Sequence, residues 1–306
     1  MNPFRPRPRP RPPRRGPCLG PLAALACLLS TLATARPAMA APEAVAFPGP
    51  DGITLRALLV LPEGGRKGVP VVALHGCGGL GGPDRPMHLP AREADWAARL
   101  AASGHPVLFP DSFGPRGVAE VCHGGERGIQ PENLRRGDAL AAAAWAERQG
   151  WAAAGGVVLL GWSHGGSTVL AAANRAFGPV PEGLVRGAVA LYPGCVRVGR
   201  ALPPFDPASP VLMLLGGADG WTPARFCEAL ARRAGERPGP SVESVTYPGA
   251  EHGFDQPHMP VRELSGMAIT PKGDGRVRMG TDAAARADAL RRVAAFLARL
   301  PPGGQE

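Results

Sequence analysis

The strongest chemical signal in the chain is Gly161-Trp162-Ser163-His164-Gly165-Gly166, which contains the pattern G-x-S-x-G. It lies between an apolar run, Val157 to Gly161, and a stretch over 164–177 that reads as a helix. A strand turning sharply into a helix is the context of a nucleophile elbow: the turn exposes the serine hydroxyl, and glycines serve where strand and helix approach closely. In a chain with 43 glycines the pattern alone would mark only a turn. A serine hydroxyl is a weak nucleophile and needs a base. Of seven histidines, His252 in Tyr247-Pro248-Gly249-Ala250-Glu251-His252-Gly253-Phe254 follows the last apolar strand and precedes the C-terminal helix, where a base can reach back over a sheet. His164 adjoins the serine, so its ring is expected to point elsewhere. His75 is expected to support its own turn, and His88, His105, His123 and His258 read as surface or structural residues. The base needs a carboxylate to fix its tautomer. Asp219 ends the run VLMLLGGAD and completes the chain order Ser, Asp, His. Asp111, at the end of an earlier strand, is its rival, and Asp255 lies too near His252 to be preferred.

Acyl transfer also needs two N–H donors for the oxyanion. One is expected from the backbone of His164, the residue after the nucleophile. The other is expected from the glycine-rich turn His75-Gly76-Cys77-Gly78-Gly79, through the Cys77 N–H rather than its thiol. The His, Cys and acidic residues show no metal-ligand spacing, so no metal is expected.

These residues need a scaffold. Apolar runs predict strands over Thr54–Leu61, Val69–Leu74, His105–Phe109, Val157–Gly161, Ala188–Leu191, Val211–Leu215 and Val242–Tyr247. Helices are predicted over 92–103, 132–149, 164–177, 223–234 and 282–299, with a long Gly-rich loop from Asp111 to about Pro131. Strands alternating with helices imply a parallel sheet covered on both faces. In such sheets function gathers at the C-terminal strand ends, where the motifs above lie.

The chain has 306 residues and a formal net charge of +9. Residues 1–40 hold seven of its 34 Lys and Arg residues and no acid, so the remainder carries 27 basic against 25 acidic side chains. That near balance is no footprint for nucleic acid. Residues 1–40 read as a signal peptide: a positive Pro-rich start, an apolar stretch from Leu22 to Ala33, and Ala38-Met39-Ala40 as a cleavage site before Ala41. The apolar stretch is short for a membrane span, so no stable insertion is expected after cleavage. Residues 41–306 then form one domain, periplasmic or secreted. It retains Cys77, Cys122, Cys195 and Cys227, an even count that suggests disulfides in an exported protein. Four cysteines allow three pairings.

LHGCGG, PDSFGPRG, GWSHGG, YPGC, GGADGWTP and YPGAEHGFD occur in this order across nearly all of residues 70–256. Together they resemble the dienelactone hydrolase family of α/β-hydrolases. The resemblance implies an α/β-hydrolase fold with a mostly parallel eight-stranded sheet and helices on both faces, hydrolysis of a small ester or lactone, and no cofactor. The chain departs from the founding members, which use a cysteine nucleophile where Ser163 stands. The strand order of that fold sets Cys77, after the third core strand, beside Cys122, in the loop after the fourth. It also sets Cys195 beside Cys227, at the start of the helix after the seventh strand. The expected disulfides are therefore Cys77–Cys122 and Cys195–Cys227. Arg116, on the long loop, is a candidate to bind a substrate carboxylate. The expected activity is ester or lactone hydrolysis through an acyl-enzyme. The alternatives are a peptidase or acyltransferase with the same triad, a non-catalytic envelope binding protein on this scaffold, and an anchored protein that retains residues 22–35.

Overall fold

The computed structural model describes residues 41–300 apart from residues 66, 126 and 127. The export segment expected over residues 1–40 lies outside the described residues.

Eight strands form one sheet: β1 (Glu43–Pro48), β2 (Thr54–Val60), β3 (Val71–Leu74), β4 (Val107–Asp111), β5 (Val157–Trp162), β6 (Val185–Leu191), β7 (Val211–Gly216) and β8 (Val242–Tyr247). Their spatial order is β1-β2-β4-β3-β5-β6-β7-β8. β1 pairs antiparallel with β2, and β2 antiparallel with β4. From β4 to β8 every pairing is parallel. The central strands are continuous apolar runs because both of their faces are buried. Their side chains alternate between two cores. Val72, Leu74, Val157 and Leu159 face the layer made by α2 (Leu134–Glu147), α3 (His164–Ala172) and α5 (Ala224–Gly235). Val71, Ala73, Val158 and Leu160 face α1 (Ala91–Ala102) and α6 (Ala283–Arg299). This is the α/β-hydrolase fold, with helices on both faces of a mostly parallel sheet.

The chain departs from the residue-level expectation in four places. β1 supplies the eighth strand; only Val45 and Phe47 of EAVAFP turn inward, so its apolar signal is faint. α3 stops at Ala172, and residues 175–177 form a separate 3-10 turn capped by the Asn174 side chain. Between the base loop and α6, the chain makes an excursion whose arms, β9 (Arg262–Leu264) and β10 (Val277–Met279), pair antiparallel. A one-turn helix, α4 (Val196–Arg200), follows β6.

Candidate active site

Ser163 stands at the turn between β5 and α3, with φ 53° and ψ −117°. L residues rarely adopt this backbone, and such strain persists only where the surroundings enforce it. Here they do. The Ser163 N–H donates to the Leu191 carbonyl on β6 (2.9 Å) while its own carbonyl accepts from Ser167 in α3. Glycines permit the crossing: a Cβ on Gly165 would lie 1.9 Å from the Leu74 carbonyl oxygen, and one on Gly161 2.5 Å from that of Gly165.

Asp219 and His252 meet from the loops after β7 and β8. His252 Nδ1 lies 2.7 Å from Asp219 Oδ2, and both residues are buried. The carboxylate is fully engaged. Oδ1 accepts the N–H groups of Trp221 (2.8 Å) and Thr222 (2.9 Å), and the Thr222 hydroxyl lies 2.8 Å from Oδ2. Burial works to raise the Asp219 pKa, but His252 and the Thr222 hydrogen bonds outweigh it and hold it below the ordinary carboxylate value. An ionised Asp219 requires the Nδ1 proton as its donor, which leaves Nε2 as the basic nitrogen. The His252 ring is packed between Tyr192 (centroids 4.7 Å) and Trp221 (4.8 Å). Its carbonyl accepts from the Gly280 N–H just past β10, which fixes the loop from the other side.

The other acids have different duties. Asp111 Oδ1 accepts the N–H groups of Phe113 and Gly114 (3.0 Å each), so it caps its own turn. Asp255 is fully buried and accepts from Trp96 Nε1, Trp162 Nε1 and the Tyr192 hydroxyl. His75 is buried beneath the turn it was expected to support, with Nδ1 2.8 Å from the Gly76 carbonyl. Burial, then the positive charge of Arg135, holds its pKa well below the ordinary histidine value.

A cavity of about 480 Å³ opens beside the serine, and Ser163, Cys77 and His164 all line it. His164 opens α3, so its N–H lies beyond the reach of the helix's own carbonyls. The turn of Cys77 is held in place by the Cys77–Cys122 disulfide (Cα–Cα 5.0 Å) and by the Val121 N–H donating to the Cys77 carbonyl. The second disulfide, Cys195–Cys227 (Cα–Cα 5.1 Å), ties the loop after β6 to α5. Ile269, Thr270 and Pro271 of the excursion complete the far wall. They are moored by the Ala268 N–H to the Cys122 carbonyl and by Trp221 Nε1 to the Ile269 carbonyl.

Arg116 is a correction. Its guanidinium makes a two-pronged pair with Asp138 (2.8 Å each) and a bond to the Ser112 carbonyl, and it does not line the cavity. A buried partner 22 residues away has taken the charge that a substrate would need. Arg197, Arg200 and Arg225 line the cavity instead. Sequence reasoning also passed over Thr222 and Trp221, though both stand in the GGADGWTP motif, and it passed over the excursion entirely. Among the described residues, no group of three or more His, Cys, Asp or Glu is placed to hold a metal ion. No helix among them is long and apolar enough to cross a membrane.

The chain matches the dienelactone hydrolase family over residues 55–300. No curated protein matches it. Among solved structures it is similar to a dienelactone hydrolase-like promiscuous phosphotriesterase from metagenomic libraries, with 20% identity over 85% of this chain and 99% of that one and a TM-score of 0.60. A putative dienelactone hydrolase from Klebsiella pneumoniae gives 21% identity over 85% of this chain and 100% of that one, at a TM-score of 0.55. Esterase 2 of Thermogutta terrifontis gives 17% identity over 87% and 97%, at 0.56. Likeness at these identities speaks for the shared α/β-hydrolase fold.

Proposed function

The chain belongs to the dienelactone hydrolase family, and from that premise we propose that it is an exported serine hydrolase that cleaves carboxylic esters or lactones through an acyl-enzyme. One observation carries the reading: a strained, cavity-lining Ser163 stands on the same sheet edge as a buried His252 whose Nδ1 lies 2.7 Å from the Asp219 carboxylate. A serine without chemistry would have no need of that backbone.

Ser163 Oγ attacks the acyl carbon while His252 Nε2 takes its proton. The carbonyl oxygen becomes an oxyanion that accepts the N–H groups of Cys77 and His164. Collapse of the adduct expels the alkoxide, which takes the proton back from His252. Water then attacks the acyl-enzyme as His252 removes its proton, and the acid leaves with Ser163 restored. Asp219 stabilises the imidazolium in both halves. The apolar side chains of Trp221, Phe226 and Ile269 suit a hydrophobic substrate body. Arg197 is already paired with Glu132, while Arg200 and Arg225 suit a negative charge on that body. That is the role the sequence reading gave to Arg116. Two disulfides suit an oxidising compartment, in keeping with export and release at Ala41.

The test is a fluorophosphonate probe followed by a substrate panel. Labelling of the wild type, absent in Ser163→Ala, with turnover of esters or lactones supports the reading. Turnover confined to aminoacyl amides would make the protein a peptidase. No labelling and no turnover would leave a binding protein on this scaffold.

A further inference from the structure

Arg135, on α2, is outside the triad and does not line the cavity, yet its guanidinium is buried at 1% exposure. A buried charge is costly unless it is well paired, and the usual partner is a carboxylate. Among the described residues the hydrogen bonds of Arg135 go elsewhere. Nη2 donates to the His75 carbonyl (2.9 Å) and Nη1 donates to His164 Nδ1 (2.7 Å). Nε is buried without a partner, and the guanidinium lies 5.1 Å over the Phe113 ring. The nearest acid along the helix, Asp138, gives both oxygens to Arg116. Burial pushes the Arg135 pKa down to about 10, with Asp138 and Asp111 opposing, so the group remains a cation at neutral pH.

The two acceptors are informative. His75 begins the turn that carries Cys77, and His164 directly follows the nucleophile. One rigid fork therefore joins the two segments that hold the N–H donors of the oxyanion hole. Accepting at Nδ1 also requires His164 to be neutral with its proton on Nε2. We propose that Arg135 is a positioning residue for the oxyanion hole, clamping the Cys77 turn to His164 and lending a positive charge that no hydrogen-bonded carboxylate neutralises to the oxyanion that forms between them. This rests on the serine hydrolase reading above. An arginine suits the task better than a lysine, which keeps the charge but lacks the planar fork that reaches two acceptors at a fixed spacing.

The experiment uses the disulfide-intact full protein with p-nitrophenyl acetate as substrate and phenylboronic acid as probe. In the probe complex a bond forms between Ser163 Oγ and boron, the serine proton passes to His252, and the adduct is a tetrahedral anion with an oxygen in the oxyanion hole. Losing one direct oxyanion donor costs about 10²–10³ in rate, so Arg135→Met, which acts through the donors, should lower kcat about 10- to 100-fold with KM within about threefold. Boronate affinity should fall by the same factor as kcat/KM, and Arg135→Lys should recover part of both. A merely structural role would lower the melting temperature and leave boronate affinity and kcat in the folded protein near wild type; that result overturns the inference. If Arg135→Met does not fold, Arg135→Lys is read alone: a parallel fall in kcat/KM and boronate affinity supports the inference, and wild-type values overturn it. A wild type that neither turns over the ester nor binds the boronate removes the functional reading and this inference together. A wild type that does both, beside variants that show no parallel loss, removes this inference alone.

Discussion

Breaking Cys77–Cys122 should affect catalysis in a way that breaking Cys195–Cys227 does not, although the two cost nearly the same stability. The first closes a separation of 45 residues and the second one of 32. In the chain-entropy account these remove about 4.0 and about 3.7 kcal/mol from the unfolded ensemble at 25 °C, a difference too small to matter. Their positions differ more. Cys77 carries a proposed oxyanion donor, and the Cys122 carbonyl moors the excursion through the Ala268 N–H. With the bridge gone, the turn keeps the Val121 N–H bond to the Cys77 carbonyl and the Arg135 bond to the His75 carbonyl. The donor is thus loosened rather than lost, and the penalty should fall below the about 10²–10³ of a missing donor, at roughly tenfold in kcat. Cys195 lines the cavity but carries no donor, so its removal should change KM more than kcat. The assay pairs urea unfolding of Cys77→Ser/Cys122→Ser and Cys195→Ser/Cys227→Ser with ester turnover at a temperature where both remain folded. Equal losses of kcat in the two, or wild-type kcat in the first, would refute the reasoning.

Ser163→Ala and His252→Ala should each lose several orders of magnitude in turnover while melting as cooperatively as wild type, and Asp219→Asn should lose roughly 10⁴-fold by upsetting the His252 tautomer; near-normal steady-state rates in any of the three would displace the triad. His75 resists protonation when folded but takes a proton below about pH 6.5 when unfolded, so stability should fall on acidification by up to about 1.4 kcal/mol per pH unit. Urea midpoints at pH 7.5 and 5 should therefore differ less in His75→Gln than in wild type. The Asp219–His252 pair acts in another window, since a lowered carboxylate pKa keeps its stabilisation down to the ordinary carboxylate range and loses it only below. Intact mass of protein taken from its native envelope should begin at Ala41, and a mass retaining residues 1–40 would favour an anchor.

Ser163 and Asp219 stood out as candidates because β5 and β7, buried on both faces, leave uninterrupted apolar runs just before them, whereas β8 is only half-buried and His252 was picked by its place after the last strand. The disulfide pairs followed from strand order, which the motifs fixed through the family resemblance. What escaped depends on partners distant in sequence. Arg116 looks like any loop arginine until Asp138 is folded against it, and Arg135 and Arg136 are indistinguishable in LRRGD although Arg135 bonds to His75 and His164 and Arg136 to the carbonyls of Ala171, Gly178 and Pro179. Asp255 was set aside as a triad acid for its nearness to His252, yet it holds two indoles and a phenol in the layer behind that histidine. The excursion between Gln256 and Asp282 has strands of three residues, too short for periodicity to register.

The backbone of Ser163 bears on how such a protein can change over generations. Glycine adopts φ near +53° without penalty, whereas an L side chain there costs on the order of 1–3 kcal/mol. Ser163→Gly would recover that strain, less about 0.5–1 kcal/mol for the freer unfolded chain. The dead enzyme would thus be at least as robust as the live one. A lineage freed from turning over substrate would therefore meet no stability barrier to glycine at this position.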